Sequence, residues 1–226
     1  MNLTDFSTGI QSLKKDHINR KDYTFSIKQH FNDYKIVFLE GDIDSGKTNL
    51  CQEFSFENSK NAISVFFNPL NKIDYNFDFF LTNVIGQLMA YLELEVDNLV
   101  LDENLGFENL QRLLIKARRK AKKDKLYFII DGLEENFQEN TSLLKKIIEV
   151  LPLGDENINL LITANQREFL KKNDNLDKLN TKSISVLGIS DKQVIEYFAF
   201  DNIALSNDEV IQLIKITNGF PGRLGL

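Results

Sequence analysis

Cysteine occurs once in the 226 residues, at Cys51, so no internal disulfide can form. Histidine is nearly as scarce: His17 and His30 are the only two, and neither sits in a metal-ligand or acid–base spacing. Proline occurs three times, and no Gly/Ser linker, low-complexity tract or internal repeat is evident, which is not the composition of a disordered chain. No run approaches the roughly 18 apolar residues of a membrane span, and the start MNLTDFSTGIQ has no apolar signal core. The expectation is a cytosolic (cytoplasmic) protein without membrane association. A basic surplus is also missing: the net charge is -6 with 27% charged residues, which argues against a chain-wide nucleic-acid surface.

What is present is a 42% hydrophobic chain able to bury one sizeable core with a small appended bundle. Continuous apolar blocks recur at KIVFLE (35–40), AISVFF (62–67), KLYFII (125–130), NLLIT (159–163) and SISVL (183–187). Unbroken apolar blocks of strand length are expected where a parallel sheet is covered on both faces. Between them, KTNLCQEFSF, FDFFLTNVIGQLMAYLEL, FENLQRLLIKARRKAKK and SLLKKIIEVL carry helical spacing. Alternating strands and helices predict a three-layer α/β domain over residues 35–189, after a helical lead-in over 1–34. From 190 to 226 only helical patterns remain, opened by the capping boxes SDKQ and SNDE, so a small C-terminal helical subdomain follows.

The octapeptide GDIDSGKT, residues 41–48, fits G-x-x-x-x-G-K-[ST] between a buried strand and a helix start. Glycines let the backbone curl so that successive N–H groups face phosphates; Lys47 would reach the β/γ oxygens and the Thr48 hydroxyl would ligate Mg²⁺. The candidate nucleotide contacts here are Gly41, Asp44, Ser45, Gly46, Lys47, Thr48 and Asn49. Asp42 and Asp44 are unusual in a loop meant for an anion, and are tolerable where their side chains point to solvent while the amides face inward. In KLYFIIDGLEE, Asp131 follows an apolar strand, where a carboxylate completes a Mg²⁺ site with Thr48. Glu134 and Glu135 lie three and four residues further on, and either could orient a water as base, which points to a nucleoside triphosphatase rather than a kinase.

Phosphate loop, D-G-L-acid-acid strand end, LLITANQRE and a helical tail with GFPGRLGL together resemble the STAND class of P-loop ATPases, which includes the NACHT and NB-ARC modules. The resemblance runs from about residue 18 to the end, and it implies an ASCE-type P-loop NTPase sheet. It also implies ATP or ADP with Mg²⁺, and a switch in which the ATP form self-associates or engages protein partners. Gly132, Glu134 and Glu135 match the family pattern after the Walker B aspartate, although the first acid there is usually Asp. Where the family places an arginine that senses the γ-phosphate, Asn165 stands here, with Arg167 two residues on. Asn165 can donate to phosphate or to the attacking water. Gly219, Phe220 and Pro221 resemble the G-x-P motif whose proline packs near the adenine; read alone, they punctuate two helices. Arg20, in HINRKDY, occupies the position expected to line base and ribose, and its alternative is an exposed linker charge. Bacterial members of the class often act in antiviral defence.

The run KARRKAKKDK (116–125) has seven basic residues in ten, but a solvated helix end favours cations through the dipole, so nucleic acid is the less favoured partner. Two other readings compete with the switch: an AAA+-like DNA-associated ATPase and a non-hydrolysing nucleotide-binding scaffold. Cys51, on the phosphate-loop helix, reads as a small buried packing residue.

Overall fold

The computed structural model describes residues 20–67, 76–94, 103–133, 141–165, 169, 179–200 and 202–224. Helix α1 (Lys21–His30) leads into strand β1 (Ile36–Glu40), helix α2 (Lys47–Glu57) and strand β2 (Ala62–Phe66). Helices α3 (Phe77–Tyr91) and α4 (Glu103–Lys120) follow, then strand β3 (Leu126–Asp131), helix α5 (Thr141–Val150) and strand β4 (Ile158–Thr163). Strand β5 (Thr181–Ser185), helices α6 (Asp191–Phe200) and α7 (Asn207–Thr217) and a 3-10 turn (Pro221–Leu224) end the described chain.

The five strands form one sheet in the order β2-β3-β4-β1-β5, and every pairing is parallel. Because successive strand residues point to opposite faces, each apolar block feeds two cores. Ile36 and Phe38 join Phe80, Val84, Leu110, Leu114 and Ile147 on one face, whereas Val37 and Leu39 join Ile27, Phe31, Leu50, Cys51 and Phe54 on the other. Full burial of side chains such as Leu50 and Phe54 is worth about 1.5–3 kcal/mol each. This is what fixes α2, and with it the phosphate loop, to the sheet. A third, small cluster of Ile189, Val194 and Val210 holds the C-terminal helices together.

Strand β2 lies at the sheet edge, and a side chain takes the place of a missing neighbour. Ser64 N–H donates to Gln87 Oε1 at 2.7 Å, and Gln87 Nε2 donates to Ser64 O at 2.8 Å. The amide of Gln87, on α3, therefore satisfies both outward backbone groups of a buried residue that would otherwise go unpaired.

The strands expected from the apolar blocks form within one or two residues of their expected limits. Strand β5 is displaced most, running over Thr181–Ser185 instead of 183–187. Its position is set by pairing with β1, Ile36 opposite Thr181 through Glu40 opposite Ser185, while Val186 is buried beneath the phosphate loop. Helix α4 likewise begins at Glu103, earlier than the run from Phe107 suggests. Both capping boxes form: Ser206 and Glu209 exchange side-chain and backbone bonds, as do Ser190 and Gln193. The carboxyl of Glu209 is held below its usual range by the backbone and hydroxyl donors of Ser206. No helix among the described residues is long and apolar enough to cross a membrane.

Candidate nucleotide-binding site

Parallel strands place the C-terminal ends of β1, β3 and β4 on one edge of the sheet, which is where open α/β sheets hold ligands. The phosphate loop leaves β1 there. Ser45 N–H donates to Asp42 O at 3.2 Å, closing a tight turn, and the chain then passes through left-handed conformations at Asp44 (φ 68°) and Gly46 (φ 91°). Glycine at 46 is required by the conformation, which disfavours a side chain; a Cβ there would stand at ordinary contact distance, 3.4 Å, from Arg20 Nη1 and from Pro221 Cγ. Helix α2 starts at Lys47 with no acidic residue in its first turn, so nothing on the helix offsets its attraction for an anion. Asn49 lies half-buried in that turn.

Lys47 Nζ donates to Gly41 O at 2.8 Å and to Asp42 O at 2.9 Å, so the ammonium sits under its own loop. Thr48 Oγ1 donates to Asp131 Oδ2 at 2.8 Å, joining the first turn of α2 to the end of β3. Asp131 is buried, and the following amide, Gly132 N–H, donates to Thr163 Oγ1 at 2.8 Å, which ties the tips of β3 and β4 together. A hydroxyl and a carboxylate are hard oxygen donors of the kind Mg²⁺ takes. Among the described residues no group of three or more His, Cys, Asp or Glu could hold a metal ion. A cation held by Thr48 and Asp131 would therefore complete its shell with water and phosphate oxygens, as Mg²⁺ ordinarily does. Cys51 packs one turn below Thr48; burial first, and the charge of Asp131 second, push its thiol well above the usual range.

Beside the loop is a cavity of about 120 Å³ lined by Leu39, Glu40, Gly41, Lys47, Thr163, Ala164 and Asn165. It brings Asn165, from the end of β4, together with Lys47. Sequence reasoning missed Glu40, whose Oε1 accepts from Ser183 Oγ at 3.0 Å. The available signal was a charged residue closing the otherwise apolar run IVFLE.

Arg20 is not an exposed linker charge. Only 4% exposed, it donates from Nη1 to Ser45 O at 3.0 Å and from Nη2 to Leu187 O at 2.6 Å, and its guanidinium lies 4.4 Å from the Tyr23 ring centroid. Burial lowers its pKa from the ordinary arginine value. Arg20 thus clamps the loop to the chain leaving β5. Ser45 is fully buried, and its hydroxyl has no hydrogen-bond partner. Pro221 is buried beside Gly46, on the side of the loop that Arg20 also reaches, and it opens the 3-10 turn after Asn218 (φ 54°) ends α7. The segment punctuates two helices, and Pro221 also lies beside Gly46 of the phosphate loop. Glu134, Glu135 and Arg167 lie outside the described residues.

The basic run at the end of α4 has intramolecular partners. Arg118 pairs with Asp155. Lys120 Nζ donates to Tyr91 O at 2.6 Å and Glu93 Oε1 at 2.9 Å, and Lys125 Nζ donates to Phe31 O at 3.0 Å. These contacts give three of the seven basic residues of the run a structural use.

The family model "Nephrocystin 3, N-terminal" matches residues 16–165, well over half of the chain, from just before Arg20 through Asn165. The chain belongs to this family. With that membership it is a STAND-class, nucleotide-binding P-loop ATPase, as the motif order implied. Among solved structures, the Walker-type ATPase of Pyrococcus abyssi aligns over 96% of this chain and 68% of that one, at 14% identity and a TM-score of 0.63. At that identity the likeness is one of fold, the parallel P-loop ATPase sheet. A STAND protein with a tetratricopeptide repeat sensor from Pyrococcus horikoshii aligns over 90% of this chain and 28% of that one, at 17% identity and a TM-score of 0.45. No curated protein matches.

Proposed function

We propose that this member of the nephrocystin 3 N-terminal family is a slow, Mg²⁺-dependent ATPase that works as a conformational switch, with ADP favouring a closed form and ATP an open, self-associating one. The observation that supports this best is the double engagement of the phosphate loop. The sheet reaches it through Thr48 and Asp131, and the C-terminal helical segment reaches it through Pro221 beside Gly46. A nucleotide bound between them would contact both parts, and only such contacts can bias one arrangement over the other. Moving the balance from 1:99 to 99:1 takes about 5.5 kcal/mol of differential affinity.

In this reading the amides from Asp44 to Thr48 and the Lys47 ammonium hold the phosphates, Asn49 follows in the first turn of α2, and Arg20 supports the loop from behind through Ser45 O. Thr48 and Asp131 hold Mg²⁺, which neutralises phosphate charge when bound. Asn165 faces the terminal phosphate across the cavity it shares with Lys47. Glu134 or Glu135 accepts a proton from water as the water oxygen bonds to the γ-phosphorus and the bond to the ADP oxygen breaks. Lys47 must leave the carbonyls of Gly41 and Asp42 to do its part, exchanging two neutral acceptors for anionic ones. The ammonium's bonds to the carbonyls are ion–dipole contacts and those to phosphate are ion–ion contacts, so Coulomb attraction runs the exchange in favour of the nucleotide.

Titration calorimetry with ADP and with ATP plus Mg²⁺, followed by phosphate release on the same sample, tests the proposal. Wild type should bind both, and Lys47→Ala should bind neither; full affinity in Lys47→Ala would contradict the assignment of the loop. Glu134→Gln or Glu135→Gln should keep binding and slow release at least tenfold. Binding with no turnover in wild type would replace the ATPase by a nucleotide-binding scaffold.

A further inference from the structure

The C-terminal turn is joined to the phosphate loop by the protein's own backbone. Gly222 N–H donates to Asp44 O at 3.1 Å. The approach is close enough that a Cβ on Gly222 would stand 2.7 Å from Asp44 Cβ, 2.7 Å from its Oδ1 and 2.9 Å from its Cγ. Next to this contact, Ile189 N–H donates to Gly219 O at 2.7 Å, and Arg20 bridges Ser45 O to Leu187 O. The exit from β5, the end of the helical segment and the phosphate loop therefore close a ring.

The peptide between Asp44 and Ser45 has both of its polar groups committed. Its carbonyl accepts from Gly222, and its N–H donates to Asp42 O at 3.2 Å. A peptide unit is planar and trans, so its C=O and N–H point in opposite directions and turn together. An anion that draws the Ser45 N–H away from Asp42 must rotate this plane, and the rotation pulls the carbonyl off Gly222.

We propose that the Asp44–Gly222 contact is a latch that competes with phosphate for the orientation of the 44–45 peptide, so that filling the loop frees the Gly222 N–H and the turn's backbone, and in the closed ADP form the helical segment is held through the nucleotide instead of through this bond. The part played by nucleotide rests on the function proposed above; the mechanical link between loop and turn does not. The latch gives the Asp44–Gly222 pair a role in coupling, distinct from any direct contact with the base.

Hydrogen exchange read by mass spectrometry tests it on the full chain. Without nucleotide, Gly222→Ala should speed exchange at least tenfold both in residues 41–48 and in residues 219–224, because the new methyl forces the two apart. The double variant D44G/G222A should return both segments close to wild-type rates. Removing the Asp44 side chain removes the three atoms nearest the new methyl, Cβ, Cγ and Oδ1, and leaves the carbonyl in place, and φ 68° suits glycine. In wild type, ADP with Mg²⁺ should slow exchange in 41–48 while speeding it in 219–224, and Gly222→Ala should bind ADP at least threefold more tightly. A double variant no better than the single one, in folding or in exchange, overturns the latch. Slower exchange in both segments on adding ADP overturns the competition. If wild type binds no ADP, the proposed function fails, and the nucleotide-free comparison still decides whether loop and turn are coupled.

Discussion

Replacing Arg20 by Met tests whether the residue is a buried clamp, as its geometry indicates. Methionine keeps most of the stem volume but removes the charge and both donors, leaving Ser45 O and Leu187 O without them. Hydrogen bonds from a charged group are worth about 1.5–3 kcal/mol each, a gross loss of about 3–6 kcal/mol for the two. Against this, the guanidinium is held at 4% exposure with Nε lacking a partner, so its removal returns a desolvation cost of several kcal/mol. The net expectation is a destabilisation of about 2 kcal/mol. For a chain of this size that lowers Tm by about 4–8 °C. Arg20→Lys should fall between, since one ammonium on a shorter, unforked side chain does not span both carbonyls. Thermal unfolding followed by circular dichroism makes the comparison. An exposed linker charge would change stability by no more than about 0.5 kcal/mol, so a Met variant within ~1 °C of wild type refutes the clamp.

Two further substitutions isolate other parts of the structure. Gln87→Leu fills the same space but strips the N–H and C=O of buried Ser64 of their partners; a loss of roughly 2–4 kcal/mol is expected in urea unfolding, and an unchanged midpoint would mean that the edge of β2 finds other partners. Asp131→Asn keeps an oxygen for Thr48 Oγ1 but removes the charge that a divalent cation needs; folding should be nearly unaffected, while the ratio of ATP affinities with Mg²⁺ and with EDTA should fall toward one. A ratio equal to that of wild type would place the metal elsewhere.

The strands were legible because a sheet covered on both faces needs unbroken apolar blocks, and little else in the sequence has that form. Strand β5 lies two residues ahead of its apolar block. Val186 and Leu187 are apolar, but past Ser185 only the Val186 N–H, donated to Glu40 O at 2.7 Å, still reaches β1 while its side chain packs under Gly41, and Leu187 is used for its carbonyl, which no sequence pattern advertises. Lys47, Thr48 and Asp131 stand out because their chemistry is carried by side chains at fixed spacing. Gly222, the carbonyl of Asp44 and the N–H of Ser45 act through backbone, and their partnership is set by a return of the chain from 178 residues away. Glu40 and the buried Arg20 fall between these cases: each charge was visible, but the acceptor or cavity that gives it meaning comes from other strands.

The two aspartates of the phosphate loop, odd from sequence, become intelligible once backbone and side chain are considered separately. The loop turns through φ 68° at residue 44, a conformation that Asp and Asn visit more readily than other residues with side chains. Both side chains belong to exposed residues, where a charge several ångströms from a bound phosphate costs about 1 kcal/mol or less in water, and less still at physiological salt. Their carbonyls point inward instead: that of Asp42 accepts from Ser45 N–H and from Lys47 Nζ, and that of Asp44 from Gly222 N–H. The negative charge is thus a minor penalty attached to residues chosen for their backbone. It follows that Asp44→Asn, which keeps the backbone preference and removes the charge, should strengthen nucleotide binding by no more than about fivefold, the ~1 kcal/mol above. A gain of a hundredfold or more would mean that the carboxylate itself faces the phosphates, and would reverse this account of the loop.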